Sequence, residues 1–177
     1  MERVNALFDE LVALEADRKR PPVALWHPAR EGRIDIRIDD DGSWYHEGEP
    51  IRRQPLVKLF STILRRDPDG YCLVTPAERL LIDVADVPFI AVDVEVKGAG
   101  PDQQLLFVTN VDDYVLAGEA HPIRVGGVPD RPRPYVLVRD GLEALIGRAV
   151  YYRLVDLCES DAAGYWLWSA GTRFRLG

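Results

Sequence analysis

The sequence predicts an α+β protein of two β-rich subdomains, in which repeated strand-helix-strand motifs form sheets that are each packed by one helix. The first observation is that apolar residues recur with a period of two in some segments and with helical spacing in others. The second is that the second half repeats motifs of the first in the same order. The third is composition: 47% hydrophobic and 29% charged residues in a chain of 177 are typical of an ordered globular protein.

The chain begins with a segment whose apolar residues have helical spacing. These residues are Val4, Leu7, Phe8, Leu11 and Leu14. Acidic residues lie between them, so the segment is predicted to be an amphipathic helix that ends between Arg18 and Pro22. We therefore expect residues 1–22 to form an N-terminal helix and linker.

The first subdomain is expected over residues 23–87 and starts with a strand. Ile34, Ile36 and Ile38 alternate with polar residues, as in a strand with one buried face. Turn residues follow at 39–42, and two short strands are predicted after them.

A helix is predicted next, because Pro55 suits the first turn of a helix. Its apolar face would carry Leu56, Leu59, Phe60 and Ile63. After an extended segment, the stretch 75–78 matches a capping box and favours a second helix. The alternation of Leu80, Ile82 and Val84 favours a strand instead, and we prefer the strand.

The second subdomain is expected over residues 88–177. It would begin with a strand from Phe89 to Val96, a glycine-rich hairpin turn, and a strand from Gln104 to Thr109. The stretch 126–134 is rich in glycine and proline and is predicted to be a surface loop.

An internal repeat relates the two subdomains. The segment 48–52 returns as Gly118-Glu119 and, after two inserted residues, Pro122-Ile123-Arg124. The apolar helix face Leu56, Leu59, Phe60 and Ile63 returns as Leu142, Leu145, Ile146 and Ala149. Later positions Tyr71, Leu73, Thr75, Arg79, Leu80 and Ile82 match Tyr165, Leu167, Ser169, Arg173, Phe174 and Leu176 at constant spacing. We predict that residues 34–84 superpose on residues 105–176, with a second helix starting near Leu142.

Several motifs together resemble an uncharacterised bacterial family, DUF1285. The most specific is DGSWYHEGEPIRR at 41–53, followed by LVKLFSTIL from Leu56. Further matches are His27-Pro28, Thr75-Pro76-x-Glu78, Asp86-x-Pro88-Phe89, Thr109-Asn110, His121-Pro122, Pro134-Tyr135, Arg139 and the closing Trp168-Ser169-x-Gly171. The resemblance covers roughly residues 24–177. It implies a two-part fold with repeated motifs and a role in signal transduction without a defined ligand or chemistry.

Charge and composition exclude several classes of partner. The formal net charge of −7 opposes nonspecific binding to nucleic acid or to an anionic membrane. No apolar run reaches the roughly 20 residues of a membrane span, and the N-terminus lacks a signal-peptide pattern. Cys72 and Cys158 have no metal-type neighbours, so both are expected to be reduced. We expect a cytoplasmic protein without a nucleic-acid or membrane partner.

No spacing of metal ligands supports a metal site or another cofactor. The acidic turn at 39–42 would need a carboxylate at Arg37 and a glutamate at Gly48 to form a calcium loop. The three histidines, His27, His46 and His121, contain no helical pair of the kind that binds zinc. We predict that folding and activity do not depend on a metal.

The chain contains the residue types of a hydrolase site: Thr75 or Ser169 as the nucleophile, a histidine as the base, and Asp113 as the orienting acid. The chain has no Gly-x-Ser-x-Gly motif to support it. Because Thr75 and Ser169 occupy equivalent repeat positions, we interpret both hydroxyls as ligands of the backbone at strand-turn corners.

Aromatic residues cluster near the C-terminus. Alternation places Trp166 and Trp168 on one face of a strand and Tyr165 and Leu167 on the other. Both faces are therefore expected to be covered, either by the sister copy or by a second subunit.

The leading interpretation is a noncatalytic regulatory, ligand-binding or signal-transduction module. A concave site is expected at the junction of the copies, where it would bind a small polar or anionic ligand. The candidate ligand-binding residues are Arg53, Thr75, Glu78, Asp113, His121 and Arg139. If the cleft is only structural, Arg53 and Arg139 pair with Glu78 or Asp113 and hold the copies together. Two further interpretations are an enzyme that uses Asp, His and Arg side chains in the same cleft and a homo-oligomeric scaffold.

Overall fold

The computed structural model describes residues 8–9, 12–13 and 18–177. Most of the predicted N-terminal helix lies outside the described residues. The chain divides into two compact units. The first unit contains Lys19–Pro88 and Asp140–Leu142, and the second contains Phe89–Arg139 and Glu143–Gly177 together with the described residues before Lys19.

The first unit is a six-stranded sheet with one helix. Its elements are a 3₁₀ turn (Val23–Leu25), β1 (Arg30–Ile38), β2 (Trp44–His46), β3 (Glu49–Pro50), α1 (Gln54–Thr62), β4 (Leu64–Asp67), β5 (Gly70–Val74) and β6 (Glu78–Val84). The strand order is β3-β2-β1-β6-β5-β4, and only the β1–β6 pair is parallel. Phe60 of α1 stacks on the buried ring of Trp44, so the helix covers the face that β1 and β2 make apolar.

The strict alternation of Ile34, Ile36 and Ile38 correctly predicted β1, and α1 begins next to the predicted Pro55. The preference for a strand over a capping-box helix is also confirmed, because Glu78–Val84 forms β6.

Over residues 89–177, the second unit has a six-stranded sheet, a three-stranded sheet and one α-helix. Its elements are β7 (Phe89–Lys97), a 3₁₀ turn (Gly100–Asp102), β8 (Gln104–Thr109), β9 (Tyr114–Leu116), β10 (Ile123–Val128), β11 (Arg131–Arg139), β12 (Leu142–Ile146), α2 (Arg148–Asp156), β13 (Glu159–Asp161), β14 (Gly164–Ser169) and β15 (Thr172–Arg175). The larger sheet has the order β10-β11-β12-β7-β8-β9, with β12 and β7 parallel. The smaller sheet has the order β13-β14-β15.

A repeat with a constant offset of 94 residues relates the helix and the meander that follows it in the two units. Both ends of α1, at Gln54 and Thr62, have counterparts in α2 at this offset. Strand register repeats as well: Arg65 pairs with Cys72 as Glu159 pairs with Trp166, and Leu73 pairs with Leu80 as Leu167 pairs with Phe174. The two-copy architecture predicted from the sequence therefore fits the fold.

The helix assigned to the second copy from the sequence was wrong in position. Leu142–Ile146 is strand β12, and the helix begins at Arg148. Leu142, Ala144 and Ile146 are buried and alternate along the strand, which is central in its sheet and has a parallel partner in β7. Leu145 adds an apolar residue to the other face of this strand, so Leu142, Leu145 and Ile146 also satisfy helical spacing.

Two further predictions from the sequence are corrected by the structure. The predicted loop at 126–134 is the β10–β11 hairpin, in which Val128 pairs with Arg131. The counterpart of the hairpin turn Glu47-Gly48 is Asp140-Gly141, where all four residues have positive φ, and not the stretch at Gly118. Leu105, where the second copy was expected to begin, lies in β8 of the β7–β8–β9 meander, outside the segments that the 94-residue offset relates.

Among the described residues, no helix is long and apolar enough to cross a membrane.

Candidate functional site

An arginine–aspartate cluster lines a cleft of about 360 Å³ in the first unit. Arg65 and Asp67 point to the same face of β4 because they are two residues apart, and Arg79 lies near the start of β6. Asp67 Oδ1 accepts a 2.8 Å hydrogen bond from Arg65 Nε, and Asp67 Oδ2 accepts a 2.7 Å bond from Arg79 Nε. Asp69 accepts a further bond from Arg79.

The charged groups of this cluster pair mainly with one another. Burial opposes ionisation of Asp67, but the hydrogen bonds from Arg65 and Arg79 outweigh burial and hold the Asp67 pKa at about 2. The bond to Asp67 also raises the pKa of Arg79. Arg65 Nη1 donates to the carbonyls of Val23 and Trp26 at 2.8 and 2.7 Å. Since most guanidinium donors have partners, the cleft chiefly stabilises the fold of its unit.

A second concavity, the hairpin groove, lies in the second unit between the β10–β11 hairpin and the start of α2. Its volume is about 670 Å³. The groove is lined by Gly127, Val128, Asp130, Arg131, Pro132, Arg133, Pro134, Leu145, Ile146, Gly147, Arg148, Tyr151 and Tyr152. Val128 and Tyr152 are each 59% exposed, so the groove presents apolar and aromatic surface to solvent.

Gly127 of β10 lies next to the turn of the hairpin. Gly127 has a φ of +80°, and a Cβ at this position would lie 2.5 Å from the Arg131 carbonyl oxygen. Glycine therefore allows the two strands to approach at the groove wall.

The groove is locally basic in an acidic protein. Within the described part of the chain, the guanidinium groups of Arg131 and Arg148 make no hydrogen bond or ion pair. Arg133 Nε donates to Tyr135 Oη at 3.1 Å. Asp130 is the one carboxylate among the described lining residues. Such a surface can bind an anion through charge-assisted hydrogen bonds while its tyrosines contact an apolar body.

Three of the residues predicted from the sequence to bind a ligand lie in the first unit. Thr75 Oγ1 accepts hydrogen bonds from the amides of Ala77 and Glu78, both at 3.2 Å. Glu78 lies 3.6 Å from Arg30. Arg53 precedes α1 as its N-cap and, among the described residues, forms no ion pair with Glu78.

The other three lie in the second unit, where the structure brings two of them together. Asp113, whose side chain is 3% exposed, accepts hydrogen bonds from Arg139 and, at 2.7 Å, from Arg18. His121 donates its Nδ1 hydrogen to the Leu137 carbonyl at 3.0 Å. Arg139 thus pairs with Asp113, as in the structural alternative, but the pair lies within one unit and was expected to hold the two copies together. A ligand-binding role for the six residues stays a prediction.

The interpretation of the two repeat hydroxyls is confirmed. Like Thr75, Ser169 binds the backbone: its Oγ accepts a 2.9 Å bond from Leu105 N and donates a 2.7 Å bond to Ala117 O. Ser169 is fully buried, so its hydroxyl is not available as a nucleophile.

No group of three or more His, Cys, Asp or Glu side chains that could hold a metal occurs within the described ranges. The Cys72 and Cys158 thiols are free, and burial raises the pKa of both.

Comparison with known proteins places the chain in a family. The model of the N-terminal domain of the domain of unknown function DUF1285 matches residues 21–87, and the model of its C-terminal domain matches residues 88–176. The chain belongs to the DUF1285 family. The crystal structure of a DUF1285 family protein from Silicibacter pomeroyi DSS-3 is 49% identical, with a TM-score of 0.85 over 94% of this chain and 93% of that one. A DUF1285 family protein from Shewanella baltica OS155 is 27% identical, with a TM-score of 0.52 over 68% of this chain and 90% of that one.

None of the curated proteins compared with this DUF1285 chain matches it. The family resemblance seen in the sequence is therefore confirmed, while the function has to be argued from the site itself.

Sequence reasoning missed the hairpin groove. Its signals were the alternating Arg131-Pro132-Arg133-Pro134 run and the adjacent Tyr151-Tyr152 pair. Because the proline-rich run was predicted to be a surface loop, nothing in the sequence connected the two segments.

Proposed function

We propose that the protein is a noncatalytic ligand-binding module and that its hairpin groove binds a small anionic ligand with an apolar body. The observation that carries this proposal is the position of Arg131 and Arg148 on an apolar, tyrosine-containing groove, without a partner among the described residues. Elsewhere in the second unit, Arg124, Arg139, Arg153 and Arg173 each bind a carboxylate.

The size and chemistry of the groove agree with such a ligand. A volume of about 670 Å³ lies within the range of roughly 300–1,000 Å³ that small-molecule sites occupy. The first amides of α2, at Arg148, add the positive end of the helix dipole to the two guanidinium groups.

The same lining supports binding over catalysis. The groove residues described by the structure include no histidine, cysteine, serine or threonine. Nucleophilic catalysis most often uses one of these side chains. The acid–base groups that remain in the described lining are Asp130, Tyr151 and Tyr152.

A pair of matched dyes tests the proposal. The anionic probe 8-anilinonaphthalene-1-sulfonate has an apolar aromatic body, and N-phenyl-1-naphthylamine is the same body without the sulfonate. We expect saturable binding of the anionic dye, weakened about tenfold by Arg148→Ala and by Arg131→Ala, since each lost ion contact is worth about 1.4 kcal/mol. Binding of the neutral dye should change little. Arg52→Ala, at an exposed site of the first unit, controls for the change in net charge.

Anionic-dye binding that is indifferent to both groove variants would exclude the proposed site. Equal loss of the two dyes would show that the arginines support the shape of the groove and not an anion. The natural ligand can then be sought by thermal shift among aryl and acyl carboxylates, phosphates and sulfonates, because a ligand at a hundred times its dissociation constant adds about 2.7 kcal/mol of stability.

A further inference from the structure

A second surface, the tryptophan face, lies on one side of the β13–β14–β15 sheet. Trp166 and Trp168 point to this side of β14, and Arg173 of β15 lies over both rings, at 4.3 Å and 6.0 Å from their centroids. Leu167 points to the opposite side and is fully buried. Both indoles remain partly exposed.

The orientation of the two indoles is fixed by hydrogen bonds at their polar edges. Trp166 Nε1 donates to Asp161 Oδ1 at 2.9 Å, and Trp168 Nε1 donates to Glu159 Oε2 at 3.2 Å. Because each N–H is already satisfied, what the rings still offer is apolar aromatic surface held in place before a ligand arrives.

The 94-residue repeat identifies the equivalent face of the first unit. The counterparts of Trp166 and Trp168 are Cys72 and Val74, and both are fully buried. A proline-containing stretch of the chain, residues 21–28, lies at the β4 edge of this face: its 3₁₀ turn packs beside β4, and Pro28 lines the same cleft as Arg65 and Asp67. Arg65 holds the stretch by donating hydrogen bonds to two of its carbonyls.

Nothing in the described part of the second unit binds the tryptophan face in this way. All hydrogen bonds of its side chains stay within residues 159–177. The counterpart of Arg65 is Glu159, which is exposed. An acceptor of hydrogen bonds therefore stands where the first unit has a donor.

We infer that the tryptophan face binds an extended, proline-containing segment of a partner protein that carries a basic residue. Proline rings pack on fixed aromatic surfaces, and an extended proline-rich segment loses little conformational entropy on binding. The exposed Glu159 carboxylate attracts a basic side chain at the edge of the face. The first unit provides the geometric precedent, because Arg65 holds a stretch with three prolines beside its equivalent face and Pro28 of that stretch lies near Arg65 and Asp67.

A peptide taken from the chain itself is a suitable probe. It carries residues 18–28, which combine three basic residues with three prolines, and a fluorescent label reports its anisotropy on titration with the full-length protein. We expect saturable binding that falls at least tenfold with Trp166→Ala and with Trp168→Ala, and several-fold with Glu159→Gln. Tyr165→Ala is the matched control, because Tyr165 lies on the same strand but points to the other side and is 58% exposed.

Trp166→Phe keeps an aromatic ring and tests the surface if the alanine variant does not fold; it should bind more tightly than a Trp166→Leu variant. A peptide in which the three prolines are alanine should bind at least tenfold more weakly than the parent. The inference fails if binding survives the tryptophan substitutions, or if the proline-free peptide binds equally well. Preferential binding of a single-stranded oligonucleotide, or a protein dimer that dissociates on Trp166→Ala, would also overturn it, in favour of a nucleic acid or a second copy of this chain.

Discussion

Arg79 and Arg173 occupy the same position in two copies of one helix-and-meander unit, and each donates a hydrogen bond to an aspartate twelve residues before it. Arg79 Nε lies 2.7 Å from Asp67 Oδ2, and Arg173 Nη2 lies 2.8 Å from Asp161 Oδ2. The surroundings differ, because the first pair is largely buried and the second is exposed beside Trp166. The arginine–aspartate pair is therefore a feature of the repeated unit, and its burial decides how much it contributes to the free energy of unfolding.

Asp67→Asn should lower the free energy of unfolding by about 2 kcal/mol or more, because it leaves two largely buried arginines without their common carboxylate. Asp161→Asn should cost much less, since water replaces the lost contacts. Urea unfolding of both variants beside the wild type measures the difference. Similar losses at the two positions would mean that burial does not set the strength of the pair.

Acid should weaken this contribution in a defined pH range. Folding lowers the Asp67 pKa to about 2 from an ordinary value of 3.8, so the folded state favours the ionised carboxylate. The stabilisation is complete above pH 3.8 and is lost as the pH falls towards 2. The stability gap between the wild type and Asp67→Asn should therefore be constant near neutral pH and shrink below about pH 4 in unfolding curves at fixed ionic strength. A gap that widens in acid would contradict this assignment.

Ser169→Ala should destabilise the protein by about 1–3 kcal/mol, because the buried Leu105 N–H and Ala117 C=O both lose their partner. Ser160→Ala removes a hydroxyl from an exposed position of the same small sheet and should change stability little. Thermal melts of the two variants provide the comparison, and equal melting temperatures would show that Ser169 does not brace the backbone.

Gly127→Ala should cost more stability than Gly171→Ala, although both glycines have nearly the same positive φ, +80° and +77°. At Gly171 a Cβ meets nothing within 4 Å, so only the strain of about 1 kcal/mol for a left-handed residue applies. At Gly127 the clash with the Arg131 carbonyl is added, and binding of the anionic dye should weaken as the hairpin shifts. Retained dye binding with normal stability would show that the groove wall tolerates a side chain.

Removal of metal should change nothing. The chain was predicted from its sequence to fold without a metal, and this stays a prediction. Melting temperatures before and after treatment with a chelator should agree, and elemental analysis of protein purified without chelator should find no stoichiometric zinc, iron or calcium. A stoichiometric metal that the chelator removes with a loss of stability would refute the prediction.

Elements with one buried face could be predicted from local pattern. Alternation in Ile34, Ile36 and Ile38 indicated β1, and helical spacing after Pro55 indicated α1, because each element packs one side against the core. The local pattern misassigned Leu142–Ile146. This segment is β12, which is central in its sheet, and its apolar residues fit both the spacing of a helix and the alternation of a strand. The error moved the second helix by a few residues and obscured the constant 94-residue offset.

The sequence by itself determined the class of fold, the duplication and the family, because periodicity, order of motifs and spacing are properties of the chain read locally. Tertiary structure alone decided which charges meet and which surfaces stay open. Asp113 and Arg139 are 26 positions apart and come together only through strand pairing, while the hairpin groove joins Arg131 to Arg148 across a hairpin and a helix start. From the sequence, both faces of the strand that carries Trp166 and Trp168 were expected to be covered, yet both indoles are partly exposed. Their counterparts Cys72 and Val74 are fully buried, because burial depends on what packs against a face and not on the side chain alone.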